Sequence, residues 1–106
     1  MSKSVPAQAR DPRRELRTEL FLQIEFEHEG RSSVGFCRNM SLTGMFIETT
    51  EPAPFGATLL LDVPLPGMRA RIEAYVRWTK SEGMGVQFGP MGARETHALM
   101  QLLDGR

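Results

Sequence analysis

Apolar and polar residues alternate along most of this chain. Over residues 18–27, Leu20, Leu22, Ile24 and Phe26 fall on one face, with Glu19, Phe21, Gln23, Glu25 and Glu27 on the other. Period two over this length predicts a half-buried strand. His28-Glu29-Gly30-Arg31 predicts a turn. Alternation resumes over residues 33–39, with Val34 and Phe36 on one face, and residues 45–50 are β-prone. Between them the polar hexapeptide Asn39-Met40-Ser41-Leu42-Thr43-Gly44 breaks the pattern. Glu51-Pro52-Ala53-Pro54-Phe55-Gly56 reads as a loop. Residues 57–63 alternate again, with Leu59, Leu61 and Val63 inward, and Pro64-Leu65-Pro66-Gly67 predicts a turn.

The longest alternating run covers residues 69–80, where Ala70, Ile72, Ala74, Val76 and Trp78 share one face. That parity predicts a core position for Trp78. Ser81-Glu82-Gly83 turns the chain into a short last strand over residues 84–88. From residue 93 to residue 104 the period changes. Thr96, Leu99, Met100, Leu102 and Leu103 suit one side of an amphipathic helix that covers the strands, with Gly105 placed to end it. About six short strands followed by one helix predict an all-β fold, a small sandwich or barrel. Short hairpin loops favour antiparallel pairing, and closure into a barrel removes exposed edges.

Composition changes this picture little. At 106 residues, 41% hydrophobic and 25% charged, the chain fits one domain with a single core. It lacks an 18-residue apolar run and an N-terminal apolar segment, so neither a membrane span nor a signal peptide is expected. The lone cysteine, Cys37, has no internal disulfide partner and reads as a small buried hydrophobe, which points to a reducing, cytoplasmic setting. Residues 1–12, broken by Pro6 and Pro12, read as a flexible N-terminal arm, and residues 13–106 as the domain. Charge is uneven: residues 1–17 hold five basic and two acidic groups (net +3), and the rest hold eight and eleven (net −3). The basic end either solvates the chain or meets an anion.

The chain does not read as an enzyme. His28 and His97 have no neighbours at metal-ligand spacing, Cys37 has no evident base, and neither a Gly-x-Ser-x-Gly elbow nor a P-loop is present. No metal or cofactor is expected. A nucleic-acid-binding barrel is disfavoured by the acidic body and the few aromatics. What remains is a binding module. Arg13, Arg14 and Arg17 present planar forks suited to phosphate oxygens or a guanine edge. Asn39 offers both a donor and an acceptor, and Ser41 either contacts a ligand or braces the turn. Gly44 either adopts positive φ or leaves room for a flat ligand. Arginines four apart are common, and Asn, Ser and Gly equally make a plain inter-strand turn.

Taken together, Arg13-x-x-x-Arg17 and Asn39-x-Ser41-x-x-Gly44 resemble the paired signature of PilZ domains, Arg-x-x-x-Arg followed by [Asp/Asn]-x-Ser-x-x-Gly. The resemblance continues in Met45-Phe46-Ile47, Val76-Arg77-Trp78 and Gly85-Val86-Gln87-Phe88, and covers about residues 10–104. It implies a small six-stranded antiparallel β-barrel with one C-terminal helix that binds the bacterial second messenger cyclic di-GMP. Arg13 and Arg17 would then hold phosphate and guanine with Arg14 helping, and Asn39, Ser41 and Gly44 would meet the other side of the ligand. Arg38 and Trp78 are further candidates: Arg38 is as readily explained as a surface charge, and Trp78 more readily as a core residue. Since the sequence shows no output domain, the expected signal passes to a protein partner in trans, in control of motility, type IV pili, exopolysaccharide or biofilm. The alternative is a PilZ-like protein–protein adaptor that does not bind the nucleotide.

Overall fold

A computed structural model describes residues 16–104. Six strands, β1 (Thr18–His28), β2 (Arg31–Met40), β3 (Gly44–Glu48), β4 (Thr58–Leu65), β5 (Met68–Lys80) and β6 (Gly83–Phe88), precede one helix, α1 (Ala93–Asp104). They form a closed antiparallel barrel in the order β1-β2-β3-β6-β5-β4. Closure is made where Glu25, Phe26 and Glu27 of β1 pair with Asp62, Leu61 and Leu60 of β4. Arg13 and Arg14, the arm over residues 1–12 and Gly105 lie outside the described residues.

Alternation in the sequence becomes inside and outside here. Ile24, Leu61, Val63, Ile72, Val76 and Leu99 are at most 1% exposed and belong to one core. Each buried aliphatic of this size contributes about 1.5–3 kcal/mol. Leu20 and Leu22 are only half-buried against that core, because β4 reaches no further along β1 than Glu25. Val34 and Phe36 share a face, as expected, and that face is the outside: Gly35 and Cys37 point inward between them. The β1–β2 turn is tight, with Glu29 and Gly30 both at positive φ (52° and 80°) as a type I′ hairpin requires. The turn expected over residues 64–67 is shorter, since Pro64 and Leu65 still pair with β5. Helix α1 buries Ala98 and Leu99, with Leu102 and Leu103 packed against the core, so it covers the barrel as its period predicts.

Three irregularities interrupt the ladders. On β1 the register shifts between Glu19 and Leu22, on β2 between Cys37 and Asn39, and on β5 between Val76 and Trp78. Each inserts an extra residue, and a one-residue slip moves every later side chain to the opposite face. The last two shape a groove on the outside of the barrel.

Candidate functional site

On β2, Cys37 pairs with Ile47 of β3, but the next pair is Asn39 with Phe46. Arg38 is the extra residue. Cys37 points in, and the consecutive side chains Arg38 and Asn39 both line the outer groove. On β5, Val76 pairs with Val86 of β6 and Trp78 with Gly85, so Arg77 is extra there. Arg77 and Trp78 accordingly both line the same groove. The core position that parity assigns to Trp78 is therefore wrong. Its side chain is 47% exposed and stacks on Phe46 at 5.3 Å between ring centroids, 13° from parallel. The bulge reverses the inside–outside alternation that holds from Ile72 to Val76.

A glycine makes that stack possible. A Cβ on Gly85 would collide with the Trp78 indole, which lies directly over the β6 backbone. Gly44 has a different duty from either expected one. Its φ is not positive, and a Cβ there would collide with the Val86 carbonyl oxygen, so the missing side chain makes room for β6, while Gly44 itself lines the groove. Gly44 is what lets β3 pair with β6 from Gly44–Gln87 onward.

At the other end of the groove the two halves of the sequence signature meet. Arg17 donates from Nε to Asn39 Oδ1 at 2.8 Å and from Nη1 to Ser41 Oγ at 3.4 Å. Ser41 is buried and is not among the groove-lining residues; its hydroxyl oxygen also accepts from the Thr43 amide at 3.2 Å and lies 3.1 Å from Thr43 Oγ1. Its own amide donates to the Gly44 carbonyl at 2.9 Å. Ser41 thus braces the turn and fixes Arg17. Beneath this set Cys37 donates from Sγ to the Asn39 carbonyl at 3.3 Å. Burial pushes the Cys37 thiol up to about 12, against smaller opposing contributions from the Asn39 backbone and the Arg17 charge. It stays a neutral thiol near neutral pH, which suits packing and not nucleophilic chemistry.

The groove that joins the two ends has a volume of about 910 Å³. Four cations line it, Arg17, Arg38, Arg77 and Lys80, against two carboxylates, Glu19 and Glu48. Lys80 Nζ lies 5.4 Å from the Phe46 ring centroid and 5.6 Å from that of Trp78. Arg77 donates from Nε to Gln87 Oε1 at 2.7 Å. Arg38 is held by both oxygens of Glu48, at 3.2 and 3.3 Å. Such a surface offers fixed positive charge, an amide reader and an aromatic platform on one side of the barrel. Arg77, Lys80, Phe46 and Gln87 are groove-lining residues that the sequence did not mark as site candidates. The available signal was a glycine in mid-strand, Gly85, opposite a run of aromatic and basic residues. Among the described residues, no group of three or more His, Cys, Asp or Glu is placed to hold a metal ion.

A family model for the PilZ domain matches residues 11–105. The chain belongs to the PilZ domain family. Solved structures agree on the fold. The PilZ domain of CeSA from a cellulose-synthesizing bacterium superposes with a TM-score of 0.71 at 14% identity, covering 85% of this chain and 96% of that one. The Bacillus subtilis inhibitor of motility (MotI/DgrA) gives 0.68 at 25% identity, covering 85% of this chain and 48% of the other. The Borreliella burgdorferi PlzA protein, solved in complex with c-di-GMP, gives 0.62 at 11% identity, covering 76% and 32%. No curated protein matches in sequence. The barrel closure, strand count and terminal helix expected from the sequence are those of this PilZ domain.

Proposed function

We propose that this PilZ domain is a receptor for cyclic di-GMP that hands its signal to a protein partner in trans. The observation that carries the reading is the meeting of Arg17 with Asn39 and Ser41 at one end of a groove lined by four cations. The ligand is a dianion with two flat guanines. Arg17, with Arg13 and Arg14 from the same motif, takes phosphate and guanine, and Arg38 adds a phosphate contact. The Asn39 amide reads a base edge. Ser41 acts through Arg17 and the turn, and Gly44 through the β3–β6 register. Trp78, stacked with Phe46, gives a guanine its platform.

Micromolar affinity requires roughly 8 kcal/mol. A few charge-assisted hydrogen bonds at about 1.5–3 kcal/mol each, with one stacked base, reach that after ordering costs. Titration calorimetry of the full chain with cyclic di-GMP is the test. Micromolar binding heat that Arg17→Ala strongly weakens is expected, and no heat at high protein concentration would sink the receptor reading in favour of the adaptor. The likeness to a motility inhibitor makes swimming the first behaviour to assay in cells.

A further inference from the structure

A second groove lies beside the first on the outer face. It measures about 550 Å³ and is lined by Val34, Phe36, Thr49, Thr50 and the carboxylates Glu48 and Glu82. Val34 is 48% exposed, and Phe36 stacks on Phe21, itself 65% exposed, at 5.0 Å. The apolar strip is therefore uncovered in the described residues. Its charge is one-sided: Glu48 and Glu82 are the only charged lining residues, and Glu25 stands opposite Val34 in the β1–β2 register. A backbone amide, the Ser81 hydroxyl and Lys80 hold the Glu82 carboxyl below its ordinary value, so it is ionised at neutral pH. An anionic membrane surface or a nucleic acid would be repelled by such a rim.

Glu48 is also the one residue that lines both grooves. In the structure its charge is masked by Arg38, which reaches over from the first groove and lies 5.8 Å above the Phe21 ring. Both partners are about half exposed, 53% for Arg38 and 42% for Glu48. An exposed pair of this kind is worth at most about a fivefold change in an equilibrium, so a dianion in the first groove competes for Arg38 on favourable terms.

We propose that the Val34–Phe36 face docks a protein segment carrying an apolar side chain beside lysine or arginine, and that Arg38 links this face to the first groove. With Arg38 on Glu48 the rim is partly neutralised. When an anion draws Arg38 away, Glu48 turns its full charge to the partner's cation. The linkage half rests on the anion-binding reading of the first groove, and the docking half does not. Coupling of this form is reciprocal, so the partner tightens the nucleotide by the factor with which the nucleotide tightens the partner.

The test is an amide-shift NMR titration of the full chain with the peptide acetyl-KLFKK-amide, against acetyl-ELFEE-amide. The basic peptide is expected to shift the amides of Val34, Phe36, Thr49 and Glu82, and the acidic one to leave them unmoved. Val34→Lys weakens the basic peptide at least about tenfold. Arg38→Gln, which frees Glu48 without any nucleotide, tightens it roughly two- to threefold. Cyclic di-GMP does the same in the wild type and nothing further in Arg38→Gln. No shift at those amides up to millimolar peptide, or equal shifts with both peptides, overturns the docking site. An unchanged affinity in Arg38→Gln overturns the linkage. Absence of calorimetric heat with cyclic di-GMP alone defeats the receptor reading instead, and the peptide and Arg38→Gln results still decide the docking face.

Discussion

The two ends of the main groove are built by different means. At one end Arg17, Asn39 and Ser41 are tied by hydrogen bonds of 2.8 and 3.4 Å, and their spacing is written in the sequence as a motif. At the other end Trp78 lies over a glycine and stacks on Phe46 of β3, and Trp78 and Lys80 belong to a strand whose parity a bulge has reversed. The polar end relies on fixed partners and is sensitive to single deletions. The aromatic end relies on area and is more forgiving. Directional bonds to a charged group are lost whole when one partner goes, whereas stacking surface is lost in proportion.

The largest effect should come from the residue both ends share. Gly44→Ala places a Cβ against the Val86 carbonyl and separates β3, which carries Phe46, from β6, which carries Gly85. A stability loss of about 3 kcal/mol in urea unfolding is expected, and a loss under 1 kcal/mol would show that the strands can part without cost. Next, Arg17→Ala should weaken cyclic di-GMP about 50-fold by calorimetry, near 2.3 kcal/mol, with the unfolding midpoint nearly unchanged because Arg17 is exposed. Alkaline pH then probes what lies beneath the polar end. The Cys37 thiol is raised from 9.0 to about 12 in the fold, so the unfolded chain loses its proton first. Its contribution is complete below pH 9 and is lost as pH rises towards 12, on the order of 2 kcal/mol over that window. Cys37→Ala should flatten the fall in Tm over this range, and an equally steep fall in the variant would assign the loss elsewhere.

At the aromatic end, Trp78→Ala should cost about tenfold in ligand affinity, and Trp78→Phe about threefold, as expected for shrinking a stacking platform. Equal losses for both would mean that the indole N–H, and not ring area, is used. The smallest change is Lys80→Gln. It should weaken the ligand roughly two- to fourfold at low salt and less at high salt, because an exposed cation acts through a screened field. A salt-independent loss would place Lys80 in direct, desolvated contact.

Charge teaches a similar lesson. Beyond residue 17 the chain carries a net excess of acids, yet its main groove collects four cations from three separate segments. No single stretch of the sequence contains that set, because its members lie up to 63 residues apart, from Arg17 to Lys80. Antiparallel closure brings Arg38 of β2, Arg77 and Lys80 of β5 and Arg17 ahead of β1 to one side of the barrel, while pairs such as Arg69–Asp62 and Arg71–Glu27 use up charges elsewhere.

What the sequence determined by itself is the set of strands with their covering helix and, through the PilZ resemblance, the barrel and the motif at the polar end of the groove. Period-two alternation fixes which side of β1, of β4 and of β5 as far as Val76 meets the core, because burying Ile24, Leu61, Ile72 and Val76 outweighs local preferences. The change of period at residue 93 fixes the helix that covers it. The spacing of Arg17, Asn39, Ser41 and Gly44 marks the hydrogen-bonded end of the groove. Only the tertiary structure decided that Ser41 acts from beneath the surface and that Gly44 serves strand packing. It also decided that Trp78 faces the groove and not the core. A bulge is a property of two strands at once: it arises where one ladder has a residue more than its neighbour, and a single strand's pattern carries no record of its partner's register.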